Sequence, residues 1–215
     1  MIRNKATSNG VKQSKQGRGF TLLELLIVIA IIAILSVILV LVLNPAETLK
    51  KSRDAQRISD LNTVKTALGL ILTSSTTPYL SAGNIYCIGG TSPKLFVSTT
   101  GITSGHATGI FTGGINASST TSVDGLGWIP VVFSWLTGGS PISNVPLDPI
   151  NSATSSALVD TSLVYRYACN KTAMTFEVDG RLESDAYTID DNKMTKDGGD
   201  NANLYEVGTV LTLIQ

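Results

Sequence analysis

From residue 20 to residue 43 the sequence reads FTLLELLIVIAIIAILSVILVLVL, and only Thr21, Glu24 and Ser36 in it are not apolar. As an α-helix these 24 residues cover ~36 Å at about 1.5 Å per residue, enough to cross a hydrocarbon core of about 30 Å. The run is apolar on all sides, so it is not an amphipathic surface helix. It is also longer than the apolar core of a secretory signal, about 7–15 residues, and no small-residue junction closes it. The segment before it carries Arg3, Lys5, Lys12, Lys15 and Arg18 and no acid. That bias keeps the N-terminus cytoplasmic and places the bulk of the chain outside. Lys50, Lys51, Arg53 and Arg57 on the far side weaken the asymmetry without reversing it. Glu24 is the anomaly. A carboxylate near the centre of a membrane helix costs roughly 2.5–3.5 kcal/mol on insertion scales, and a plain anchor offers it no partner.

Gly19-Phe20-Thr21-Leu22-Leu23-Glu24, after a short basic leader and before an unbroken apolar helix, resembles the signature of type IV pilins and type II secretion pseudopilins. The resemblance covers the first ~50 residues and implies a division of labour along the chain. Residues 1–19 are a leader removed by a prepilin peptidase that cuts after Gly19 and methylates the new N-terminus at Phe20. Residues 20–43 are the membrane and filament-core helix. Glu24 then pairs with the Phe20 amine of a neighbouring subunit, since a buried charge is tolerable when paired. The implied product is a structural subunit, not an enzyme. Its partners are the peptidase, further copies of itself, minor pilins, an assembly platform and the membrane. It is first a single-pass membrane precursor with its head outside, then part of an extracellular or periplasmic filament. The alternatives are a pseudopilin of a type II secretion system and a signal-anchored extracellular binding module or enzyme.

Residues 44–72 continue the helix. Asn44-Pro45-Ala46-Glu47 reads as an N-cap, a first helical position and a capping-box acid, or else as a proline kink in one continuous helix, the favoured reading. Beyond it Ala55, Ile58, Leu61, Val64, Leu68 and Ile71 recur at three- and four-residue spacing, a face that should pack on a sheet. Glu47 and Lys51 are spaced for an i,i+4 pair on the other side. The charged face is read as solvated or turned to neighbouring subunits.

Residues 73–215 form the expected head. A Ser/Thr/Gly-rich stretch with β-like pieces at residues 85–88 and 95–97 reads as a surface connection with edge strands. It contains His106, the only histidine, read as a solvated loop residue. GWIPVVFSWL, residues 127–136, reads as core. Pro146-Leu147-Asp148-Pro149 reads as turn chemistry. Residues 163–167 and 172–178 read as antiparallel strands joined by a hairpin around Asn170-Lys171. The fold class is α+β, one long helix against a small antiparallel sheet.

Without the five leader cations, eleven basic residues face sixteen acidic ones. The remainder is acidic, unlike a surface built to bind nucleic acid. Cys87 and Cys169 lack the spacing of a zinc site. They are either two buried thiols or a disulfide, which in the entropic picture contributes about 4 kcal/mol for so long a loop. No P-loop, nucleophile elbow or HExxH is present. The chemistry implies no required cofactor. One cation site is conceivable in the acidic tail, where Asp197, Asp200 and Asn201 of DGGDN could supply calcium ligands.

Overall fold

The computed structural model describes residues 19–74, 77–105, 110–153 and 155–215. Arg3, Lys5, Lys12, Lys15, Arg18 and His106 lie outside the described residues. The chain divides into two compact units, residues 1–44 and 45–215.

In the first unit, helix α1 (Leu22–Leu43) is exposed from Leu22 to Val40, and residues 22–40 have a mean hydropathy of 3.2. Its one mid-helix polar group needs no outside partner, because the Ser36 hydroxyl donates to the Ile32 carbonyl at 2.7 Å. That local bond is the way a hydroxyl is accommodated where water is absent. The helix stops at Asn44, whose backbone is left-handed (φ 36°, ψ 72°). Asn44 is therefore the C-cap of α1, not the N-cap expected from sequence, and helix α2 (Pro45–Ser74) starts at the next residue. A single left-handed residue interrupts the i→i−4 ladder, and Pro45, with no N–H to donate, suits the first turn that follows. The sequence expectation of a kink within one continuous helix is replaced by this one-residue break.

In the second unit, α2 lies on a five-stranded sheet in the order β3-β1-β5-β6-β7. The strands are β1 (Leu95–Val97), β3 (Ile115–Ala117), β5 (Tyr165–Asn170), β6 (Thr175–Gly180) and β7 (Tyr205–Gly208), with β2 (Ser104–Gly105) and β4 (Ala157–Leu158) as a separate pair. The α+β class holds, but the sheet is mixed. β1 and β3 run parallel, and residues 98–114 supply the long connection that a parallel pair needs. β1 is an interior strand with all three residues buried, so the Ser/Thr/Gly-rich stretch is not merely a surface connection. Residues 85–88 form no strand beyond one bridge from Ile88 to Asn170, because Gly83 and Asn84 turn the chain with positive φ. The expected hairpin is present as β5–β6, two to three residues later than its pattern suggested, with Met174 at φ 52° in its turn.

Strand alternation sorts the side chains. Tyr165, Tyr167, Phe176, Val178 and Val207 join Leu61, Val64, Leu68 and Ile71 of α2, with Trp128 and Phe133, in one core. Leu95, Val97 and Ala168 join Leu158, Leu213 and Ile214 in a second core, so the sheet is covered on both faces. Of GWIPVVFSWL, Trp128 is buried and donates its indole N–H to the Pro146 carbonyl at 2.9 Å, whereas Trp135 is 72% exposed. The short helical turn Phe133–Trp135 inserts Phe133 and turns Trp135 outward. The pairing of Glu47 also differs. Glu47 meets Lys50 at 3.4 Å, one residue short of the expected partner, and Lys51 lies over the Tyr187 ring at 5.8 Å. The backbone N–H of Asp185 donates to Glu47, which draws its carboxylate toward the head.

Candidate processing and assembly site

The N-terminus of α1 is built by three residues. Thr21 is the N-cap, with extended backbone, and its Oγ1 accepts the Glu24 N–H at 3.2 Å. Glu24 reaches back, its Oε2 accepting the Thr21 N–H and the Thr21 hydroxyl, each at 3.4 Å. This reciprocal arrangement is a capping box, and the carboxylate stands at the positive end of the helix dipole. Within one chain Glu24 therefore has a partner after all, which the sequence reading of a lone anchor did not supply. Gly19 and Phe20 lie just outside the helix in exposed, non-helical backbone. A peptide bond in that setting is open to a peptidase, whereas one inside α1 is held in the helical ladder.

Residues 14–40 match the profile of the prokaryotic N-terminal methylation motif. The chain carries this methylation motif. It is the class III signal of type IV pilins and pseudopilins, and it supports a type IV pilin-like or pseudopilin-like precursor with a structural role. No curated protein and no solved structure matches the chain. The methylation motif runs from residue 14 through most of α1, and the apolar helix within it fits a membrane anchor.

The methylation motif says nothing of the head, where two polar clusters lie buried. The first was missed from sequence. On α2 the buried face runs through Asp54, Arg57, Leu61, Val64, Ala67, Leu68 and Ile71. Ala55 is exposed and Ile58 only half-buried, so the expected apolar stripe is wrong in its first two turns. Arg57 forms a bidentate pair with Asp148 (Nε–Oδ2 2.6 Å, Nη2–Oδ1 3.0 Å) and reaches Asp54 and Glu183 at 2.7 Å each. Asp54 in turn accepts the backbone N–H groups of Glu183 and Ser184, and Arg53 holds Glu183 at 2.6 and 2.9 Å. Burial opposes the charge on Arg57, but its bonds to Asp148, Glu183 and Asp54 outweigh that and raise it above the ordinary arginine value. The Arg53 hydrogen bond, helped by Arg57, holds Glu183 below the usual carboxylate range. This cluster ties three segments distant in sequence: α2, the Pro146-Leu147-Asp148-Pro149 turn and the chain after β6.

The second cluster lies on the other face of the sheet. Arg166, Glu177, Asp179 and Glu206 are all buried there. The two cysteines are joined, Cys87 to Cys169, with Cα atoms 4.6 Å apart. The acidic tail is not arranged as its sequence suggested. Asp197 accepts the N–H groups of Gly199 and Glu206 at 3.0 and 2.8 Å, a turn-capping role. The Asn201 amide faces Asp160 at 3.5 Å. Among the described residues, the acids whose oxygens converge are Glu177, Asp200 and Glu206. Asp200 alone was foreseen. Glu177 sits in strand β6 and Glu206 in strand β7, where alternating acids look like a solvent face.

Proposed function

We propose that this chain is the precursor of a structural subunit of a type IV pilus-like extracellular filament. One observation carries the reading: the methylation motif runs into an exposed helix that is apolar but for Ser36 and one acid, Glu24, which sits at its N-terminus. A prepilin peptidase cuts after Gly19 and methylates the amine of Phe20. The mature chain, residues 20–215, rests in the membrane through α1, and an assembly platform draws it into a filament. There α1 packs on other copies of itself and on minor subunits, and apolar helix contacts replace lipid contacts. Such head-to-tail contacts do not close and so extend as a helical fibre. The new amine of Phe20 gives Glu24 of a neighbour a cationic partner, which sets the register between subunits. A pseudopilin in a short secretion filament is the second reading, and the methylation motif serves both.

The capping box supplies a discriminating test. Glu24→Leu removes both the cap and the charge. Glu24→Gln removes the charge alone, since glutamine serves the same cap position. Thr21→Val weakens the cap and leaves the charge. The expected result is that all three insert and are cleaved, with N-terminal sequencing beginning at Phe20, and that only Thr21→Val polymerises. Normal filaments from Glu24→Gln would sink the charge pairing. A mature protein beginning at Met1 in membranes containing the peptidase would sink the precursor reading itself.

A further inference from the structure

The head leaves two large aromatic rings side by side in water. Trp135 is 72% exposed and Tyr79 43%, and they meet edge to face, with ring centroids 6.4 Å apart and planes at 73°. Trp128, Tyr165 and Tyr167 are buried by contrast, the usual place for side chains with so much apolar area. Tyr79 and Trp135 both line a cavity of about 440 Å³, within the range of small-molecule sites, about 300–1,000 Å³. Ile71 near the end of α2, Pro130 and Val132 line its apolar side. Ser74, Thr77 and Thr137, all exposed, line its mouth. None of the described residues that line it is charged.

Both rings stand on fixed backbone. Asn84 Oδ1 accepts the Leu80 N–H at 2.7 Å, and the Asn84 amide donates to the Pro78 carbonyl at 3.1 Å, so one side chain clamps the residues on either side of Tyr79. Asn84 holds φ 55° in that turn, a conformation asparagine tolerates better than most residues. The Tyr167 hydroxyl holds the Leu80 carbonyl, and the Cys87–Cys169 bridge fastens the following turn to β5. On the opposite side Phe133 is buried in the core, and the short helical turn Phe133–Trp135 carries the indole outward from it. Rings held this way, each with only two side-chain torsions, lose little freedom when a ligand arrives.

We propose that this cavity binds an uncharged pyranose ring of a saccharide. Such a ring has a face of C–H groups and an edge of hydroxyls, and the cavity offers a partner to each. The C–H groups are slightly positive and the face of an aromatic ring is negative, so the sugar stacks on an exposed aromatic face. Its hydroxyls then meet Ser74, Thr77 and Thr137 at the mouth. A wholly apolar ligand would cover those polar groups without pairing them. A charged one would find no counter-charge to offset its desolvation. The cavity belongs to the head whether or not the chain polymerises, so its failure and that of the proposed function are separable.

The test uses the full chain in lauryldimethylamine oxide, because a maltoside detergent would bring a competing sugar headgroup. Neutral oligosaccharides of glucose, galactose and N-acetylglucosamine are titrated by isothermal calorimetry and tryptophan fluorescence, with oligogalacturonate as the acidic control. The expected result is saturable binding of at least one neutral sugar, with a change in indole emission, and no binding of the acidic one. Trp135→Ala should abolish both signals, and Tyr79→Ala should raise Kd at least tenfold. Both side chains are exposed, so neither change should move Tm appreciably. Leu126→Ala, an exposed apolar position outside the cavity, should leave binding unchanged. Binding of the insoluble polymer as well as the free oligosaccharide would identify a surface glycan as the source, and binding of the oligosaccharide alone a soluble sugar. No binding by any neutral sugar of the panel, or undiminished binding in Trp135→Ala, would overturn the proposal. So would self-association that Trp135→Ala removes while no sugar binds, which would give the cavity to a second copy of the chain.

Discussion

Arg57→Ala is expected to cost the head about 3–5 kcal/mol, the range for removing one partner of a buried ion pair. The reason is what remains. Arg57 and Asp148 are fully buried, as is Asp54, and without the guanidinium two carboxylates are left in the interior with their main counter-charge gone. A loss of that size lowers Tm by about 10–15 °C in a domain of this length, read by circular dichroism on the detergent-solubilised chain. The mechanism distinguishes itself from loss of side-chain volume. Arg57→Met with Asp54→Asn and Asp148→Asn removes the charges together and should recover a large part of the loss. A triple variant no more stable than Arg57→Ala would count against the charge argument. The same cluster makes the head acid-labile. Glu183 is held below the usual carboxylate range by Arg53 and Arg57. Its contribution is therefore full above the unfolded carboxylate value of about 4.3 and is lost as pH falls through its lower folded value. Melting temperature should drop on acidification below about pH 4, and Arg53→Gln should flatten that drop.

Reduction of the Cys87–Cys169 bridge should have an effect of similar size for a different reason. The bridge closes a separation of 82 residues, and in the chain-entropy account such a loop contributes about 4 kcal/mol through the unfolded state. Cys87→Ala/Cys169→Ala should then melt about 10 °C lower than the parent, and dithiothreitol should bring the parent down to the same value. The bridge does more than limit the unfolded chain. It fastens the turn at Gly83 and Asn84 to β5 beside the bond from the Tyr167 hydroxyl to the Leu80 carbonyl, 2.6 Å long. A melting temperature unmoved by the double substitution would show that this hydrogen bond and its neighbours already fix the turn.

The parts legible in the sequence were those whose cause is local. A run of apolar residues long enough for a membrane, Thr21 and Glu24 at capping-box spacing, and Pro45 after a helix end each act within a few residues of themselves. So did the β5–β6 hairpin, whose two strands are neighbours in the chain, although its turn fell later than the pattern suggested. The apolar stripe on α2 was right from Leu61 onward. The buried face continues from Leu61 back to Arg57 and Asp54, four and seven residues earlier, the helical spacings of one face. Charges at those positions diverted the reading to Ile58 and Ala55. Their partners, Asp148 and Glu183, lie 91 and 126 residues further on, and no periodicity in α2 announces them.

The acids of the sheet show the same limit. Glu177, Asp179 and Glu206 alternate with Phe176, Val178 and Val207, and that alternation fixes which side chains share a face. It does not say whether the second face meets water. That was decided by the C-terminal residues, where Leu213 and Ile214 close over it and Glu177 takes their N–H groups. By itself, then, the sequence determined the apolar helix, the methylation motif and the pattern of each strand, because backbone geometry and hydrophobicity act at short range. Only the tertiary structure decided which charges were taken out of water and against what. Desolvation depends on segments that meet only when the chain has folded.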